Sequence, residues 1–184
     1  MAADRDPAAG APAASLPTAS SPVATAGFSF PTRVYWEDTD AGGVVYHAQY
    51  LAFLERARTE WLRAQGWGQE RLRREHGLVF AVRAMTIDFR LPARLDDALA
   101  VGVRLRECRR ASLVIAQTID RDGVRLLDAE VRVAALEVER FRPMAIPAAL
   151  LPMLQSLESP PAGGPARAPG APGADEPNPE RVSR

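Results

Sequence analysis

Three carboxylates stand within four residues, Glu37-Asp38-Thr39-Asp40, and Ala41-Gly42-Gly43-Val44-Val45-Tyr46-His47 follows directly. Acids on a loop that enters a helix have a structural use, because one aspartate can cap the helix or favour its positive end. They also have a chemical one. The glycine pair lets a ligand approach the backbone closely. Free N–H groups at the helix start, around Tyr46 to Ala48, can bind a developing oxyanion. A carboxylate such as Asp40 can then act as nucleophile or as general base toward water. Carboxylate plus oxyanion hole is a constellation for ester or thioester hydrolysis. Adjacent acids with one distant histidine do not reproduce an EF-hand or zinc spacing, so no metal site is expected. The single cysteine, Cys108, excludes an intramolecular disulfide framework and a multi-cysteine metal site, and points to a reducing, cytoplasmic setting. His76 reads as a surface residue near a helix end. Cys108 reads as a half-buried strand residue without the surroundings of a reactive thiol.

The elements that must position this cluster can be read from periodicity. Phe28, Phe30, Val34 and Trp36 begin an extended segment that runs into the acidic loop. Tyr50, Phe53, Leu54, Ala57, Trp61 and Leu62 then recur at helical spacing, with Glu55, Arg56, Arg58, Glu60 and Arg63 on the other side. The helix should end near Gly66, where glycine can take the left-handed C′ position, and Gln69 to Glu75 can add a short second helix. From there the period falls to two. Met85, Ile87 and Phe89 alternate with polar residues, as do Leu99, Val101, Val103 and Leu105, and Leu113 to Ile119 continues the pattern. Asp122-Gly123 marks a tight turn into a last strand, Val124 to Val138. One long helix must cover one face of an antiparallel sheet, an α+β domain. Val114, Ala116, Leu136 and Val138 lie on the other face, which suits burial by a partner subunit.

This domain spans residues 28–157 of 184. Residues 1–27 and 158–184 are rich in Pro, Gly, Ala and Ser, cannot bury enough apolar area to offset their chain entropy, and are expected to be disordered. The first lacks the apolar stretch of a signal peptide, and no run is long enough for a membrane span. All basic residues are arginines, and the net charge is zero. That zero is composite, since 28–157 carries 19 arginines against 17 acids while the flanking segments carry 4 against 6. Neither figure suits a protein that coats nucleic acid or an acidic membrane.

The stretch RVYWEDTDAGGVVYHAQYLAFLERARTEWL, Arg33 to Leu62, resembles the opening strand, active-site loop and central helix of the YbgC-like (Tol-Pal cluster) acyl-CoA thioesterases, relatives of 4-hydroxybenzoyl-CoA thioesterase. FAVRAMTIDFRLPARLDD, Phe80 to Asp97, and the strand pair after it are similar to the same family. The resemblance implies a hotdog fold of about five antiparallel strands wrapped around the long helix. It also implies homodimers or homotetramers with active sites between subunits, and no cofactor beyond the coenzyme A of the substrate. By position it makes Asp40 the catalytic aspartate and His47 the residue whose backbone N–H polarises the thioester carbonyl, with its side chain a possible second contribution. It puts Tyr46 and Tyr50 beside the acyl group, although aromatic residues at this spacing also serve ordinary core packing. Arg109-Arg110 match a basic pair that some relatives use for the phosphates of coenzyme A, a task suited to the planar arginine fork. The expected activity is hydrolysis of acyl-CoA to free acid and coenzyme A. A different reading is a hotdog binding module for acyl carrier protein or for lipid-synthesis and envelope partners, with little catalysis; the intact EDTD loop favours the enzyme. A hotdog dehydratase is disfavoured because no resembling histidine loop is present.

Overall fold

The computed structural model describes residues 27–159; most of the two flanking segments expected to be disordered lies outside the described residues. Five strands form one antiparallel sheet: β1 (Phe28–Arg33), β2 (Leu78–Phe89), β3 (Ala98–Arg109), β4 (Ser112–Arg121) and β5 (Val124–Glu137), in the order β1-β3-β4-β5-β2. The helix α1 (Gln49–Ala64) lies on one face, followed by α2 (Gln69–His76) and a short α3 (Leu151–Ser156). This is the expected hotdog arrangement. No helix among the described residues is long and apolar enough to cross a membrane.

Helix α1 forms where the apolar stripe lies: Tyr50, Phe53, Leu54, Ala57, Trp61 and Leu62 are all buried. They meet the inward row of β4, Leu113, Ile115 and Ile119, and the matching residues of β3 and β5. The helix stops as its sequence requires. Gly66 takes φ +81°, its N–H reaches the Arg63 carbonyl at 2.8 Å, and the Trp67 N–H reaches Leu62 at 3.1 Å, which together make a Schellman motif. One polar link crosses the apolar interface. Arg58 donates to the Gln117 amide oxygen at 2.6 Å, and the Gln117 amide nitrogen donates to the Leu54 carbonyl at 3.0 Å. Both side chains are buried, so each satisfies the other where water cannot.

The structure departs from the sequence reading in four places. Strand β2 starts at Leu78, seven residues before the alternation at Met85 makes it visible, because Leu78–Val82 is nearly all apolar and a bulge at Val82/Ala84 resets its facing. Trp36 does not extend the first strand; it sits in a 3₁₀ turn, Trp36–Asp38, with 79% of its surface exposed. Helix α3 is an addition, anchored by the buried Ile146, Leu150 and Leu154. The domain's hydrogen bonds also reach past residue 157, since the Glu158 carboxylate accepts from the Cys108 N–H and Ser159 donates to the Leu105 carbonyl at 3.0 Å. The Asp122-Gly123 turn joins β4 to β5 as expected, both residues at positive φ.

Candidate active site

The three acids of the loop have separate fates. Glu37 is exposed. Asp38 is 2% exposed and accepts from the Tyr35 N–H at 2.7 Å and from the Gln49 side-chain amide. Its carbonyl also accepts the Tyr46 N–H at 2.9 Å. Asp38 is therefore the structural acid, binding the loop entrance to the first residue of α1. Asp40 is exposed, and among the described residues its carboxylate accepts only the Gly42 N–H, at 2.8 Å. Its backbone N–H donates to Val44 at 3.0 Å and its carbonyl accepts from Gly43 at 3.0 Å, closing a tight turn. Gly43 holds φ +70°, a conformation that glycine alone adopts without strain. The result is a carboxylate with one lone-pair direction fixed and the rest free.

At the start of α1, the Tyr46 N–H is occupied by Asp38, and the Gln49 N–H by the Tyr46 carbonyl at 2.8 Å. The N–H groups of His47 and Ala48 have no partner among the described residues. The donors expected around Tyr46 to Ala48 thus narrow to these two, at the positive end of a sixteen-residue helix. The His47 side chain is exposed and its ring lies 4.4 Å from that of Tyr46, itself 48% exposed.

The remaining sequence candidates are not gathered here. Tyr50 is a core residue, 4% exposed, set edge-on to Phe53 and Phe89. Its hydroxyl accepts the Ala93 N–H at 2.8 Å. Burial raises its phenol pKa above the ordinary value, against the lowering effect of that hydrogen bond. Arg109 and Arg110 lie at the β3–β4 turn, whereas the Asp40 loop joins the sheet near Arg33 and Asp97, beside the other end of β3. The twelve residues of β3, at about 3.3 Å each, put roughly 36 Å between those ends. Within one chain the structure therefore does not bring the arginine pair to Asp40. Arg109 is engaged with Glu107 at 2.6 Å.

Sequence reasoning missed the turn between β2 and β3 as part of the site. Ala93 is fully buried and accepts the Val45 N–H at 2.9 Å. Asp97 holds this turn by accepting the Arg94 N–H at 2.8 Å and the Arg121 guanidinium at 2.6 Å. Burial pulls the Asp97 pKa upward, but those two bonds outweigh it and leave the carboxyl below its ordinary value. Arg94 itself is exposed and has no ion pair among the described residues. A small cleft of about 50 Å³ opens between α1 and the β2 edge, lined by Glu55, Arg58, Trp61, Phe80, Val82 and Ile115 among others.

Cys108 is buried and its thiol is pushed up to about 11, by burial first and the Glu158 carboxylate second. It should stay protonated through the assay range. A disulfide reagent at pH 8 is expected to find no fast-reacting thiol in the folded protein and one thiol after denaturation; a rapid native reaction would contradict this placement.

A five-stranded antiparallel sheet against one long helix, entered by a glycine-turn loop, is the hotdog fold, here that of a thioesterase. The sequence matches the Thioesterase-like superfamily over residues 34–154. It is 47% identical over 121 residues to the acyl-CoA thioesterase YbgC of Haemophilus influenzae, covering 66% of this chain and 89% of that protein. It is 46% identical over 125 residues to the acyl-CoA thioester hydrolase YbgC of Escherichia coli O6:H1, covering 67% and 92%. A solved structure described as a probable thioesterase from Bartonella henselae superposes with a TM-score of 0.63 at 37% identity, over 65% of this chain and 98% of that one. The chain belongs to the YbgC-like family of acyl-CoA thioesterases.

Proposed function

We propose that this chain hydrolyses acyl-CoA in the cytoplasm, with Asp40 as the acting carboxylate and the His47 and Ala48 N–H groups as the oxyanion hole. The observation that carries the reading is the division of labour in the loop: Asp38 is spent on structure, while Asp40 is held by one bond and faces outward. As general base, Asp40 takes a proton from water while the oxygen adds to the thioester carbon. As nucleophile, it adds directly and forms a mixed anhydride that water then cleaves. On either route the carbonyl oxygen gains negative charge where the two N–H groups are unspent. Collapse expels coenzyme A as thiolate, which is reprotonated, and leaves the free acid on the first route and the anhydride on the second, from which water then releases the acid and restores Asp40.

The resemblance to the family supports a homodimer or homotetramer. Strand β2 is a sheet edge, with Val82 at 48% and Phe89 at 51% exposed. A second copy that continues the sheet there would pair its open backbone groups and cover this apolar edge. On the outer face, Val114, Ala116, Leu136 and Val138 are half-buried in the single chain, and Leu136 already bridges the chain's own Pro143. Contact of Arg109 and Arg110 with coenzyme A phosphates then belongs to a site completed by another copy. In the same chain, Arg94, next to Ala93 and without an ion pair among the described residues, is the better phosphate candidate. Tyr46, exposed beside His47, is the aromatic residue proposed to meet the acyl or pantetheine portion.

The test is a thiol-release assay across short, long and aromatic acyl-CoAs, run beside a pull-down with acyl carrier protein. Saturable turnover on at least one acyl-CoA is the expected result. Binding of acyl carrier protein without turnover on any chain length would favour the binding module instead.

A further inference from the structure

The Ala93 peptide is a junction between the two halves of the site. Its N–H donates to the Tyr50 hydroxyl at 2.8 Å, and its carbonyl accepts the Val45 N–H at 2.9 Å. Tyr50 lies in the first turn of α1, directly after the unspent N–H groups. Val45 closes the other half, through its bridge to Thr39 and its place next to Val44, which accepts the Asp40 N–H. Ala93 is fully buried, so neither of its polar groups can turn to water instead. The turn that carries it is itself pinned. Asp97 ties it to Arg121 of β4, and the Val34 N–H donates to the Asp97 carbonyl at 3.0 Å.

We infer that Tyr50 is a positioning residue, whose hydroxyl, acting through the turn from Pro92 to Asp97, fixes the Asp40 carboxylate relative to the N–H groups at the start of α1. This rests on the Asp40 reading above and assigns Tyr50 a different task from lining an acyl pocket. Asp38 ties the loop entrance to Gln49 through its side chain and to the Tyr46 N–H through its carbonyl, whereas Asp40 to Val44 is a turn closed on itself; among the described residues, Ala93 is what holds its exit at Val45 to the β2–β3 turn, beside the bridge from Val45 to Thr39 within the loop.

Tyr50→Phe keeps the ring that packs on Phe53 and Phe89 and removes only the acceptor of the Ala93 N–H. A misplacement of about 1 Å between catalytic groups can cost on the order of a hundredfold in rate. The expected result is a fall in kcat of about 10- to 100-fold with KM changed less than about threefold, since the lost effect acts on the chemical step. The discriminating measurement places the same change in an Asp40→Asn background. A general loss of folded protein would multiply through both backgrounds, whereas loss of Asp40 placement has nothing left to act on, so the double variant should stay within about twofold of Asp40→Asn alone. Wild-type kcat in Tyr50→Phe, with Asp40→Asn inactive, overturns the inference and leaves the Asp40 reading intact. An equal fold-loss in both backgrounds overturns it too, as does full activity of Asp40→Asn, which removes the Asp40 reading as well. Should Tyr50→Phe not fold, Asp97→Ala removes both side-chain bonds that hold the same turn at its other end. It is expected to lower kcat by about 3- to 10-fold with the same non-additivity, and an unchanged kcat there overturns the inference.

Discussion

Asp40→Asn is expected to lower kcat/KM for acyl-CoA hydrolysis by at least about a hundredfold, the usual worth of a positioned acid–base group or nucleophile. The substitution isolates charge and basicity from geometry. Among the described residues the only hydrogen bond to the Asp40 carboxylate comes from the Gly42 N–H, and an asparagine carbonyl can accept that bond equally well. The turn closed by Asp40, Gly43 and Val44 is made of backbone groups and is untouched. Asp40 is exposed and has no ion pair among the described residues, so stability should change by less than about 0.5 kcal/mol. Thermal unfolding measured beside the kinetics checks both halves. A large drop in the unfolding midpoint would mean that Asp40 is structural, and activity within a fewfold of wild type would mean that it is not the acting carboxylate.

Asp38→Ala should behave in the opposite way. Removing this buried carboxylate strands the Tyr35 N–H and the Gln49 amide, both of which it satisfies. A buried polar group left without a partner costs about 1–3 kcal/mol, and since Tyr35 and Gln49 are only part-buried and can turn to water, the expected destabilisation for the pair is about 1–3 kcal/mol. Activity should fall as well, because the Gln49 bond ties the loop to α1. Asp38→Asn is the informative companion. Its carbonyl can take the Tyr35 N–H while its amide donates to a reoriented Gln49, so most of the stability should return. Denaturant titration of both variants tests this, and equal losses for Ala and Asn would show that charge, not bond count, holds Asp38 in place.

The contrast between these two acids marks what the sequence could and could not say. Three carboxylates in four residues announce a site, but their types are equivalent, and only burial separates Asp38 from Asp40. The long helix was legible because its apolar residues repeat at 3.6 and its end is written in Gly66. The first half of β2 was not, because Leu78–Val82 has no alternation and the bulge at Val82/Ala84 shifts the facing of the residues beyond it. Tyr50 sits on the buried stripe, as its spacing indicated, yet its hydrogen bond reaches a residue 43 positions away, which periodicity cannot reveal. Arg109 and Arg110 were legible as a turn. Which end of the sheet that turn occupies depends on the pairing of β1 with β3, in which Arg33 meets Ala98 and leaves Arg109 at the far end. Arg94 and Asp97 of the Ala93 turn were visible as types, but Ala93 itself acts only through its backbone N–H and carbonyl, which no residue type signals.

The decisive quantity is the rate at which the purified protein releases coenzyme A thiol from acyl-CoA, wild type beside Asp40→Asn. Saturable, enzyme-dependent release by the wild type is expected, with near-complete loss in the variant at unchanged thermal stability. Turnover by the variant equal to wild type, or no release above spontaneous hydrolysis from any acyl-CoA by the wild type, would contradict the assignment of Asp40 as the acting carboxylate of a thioesterase.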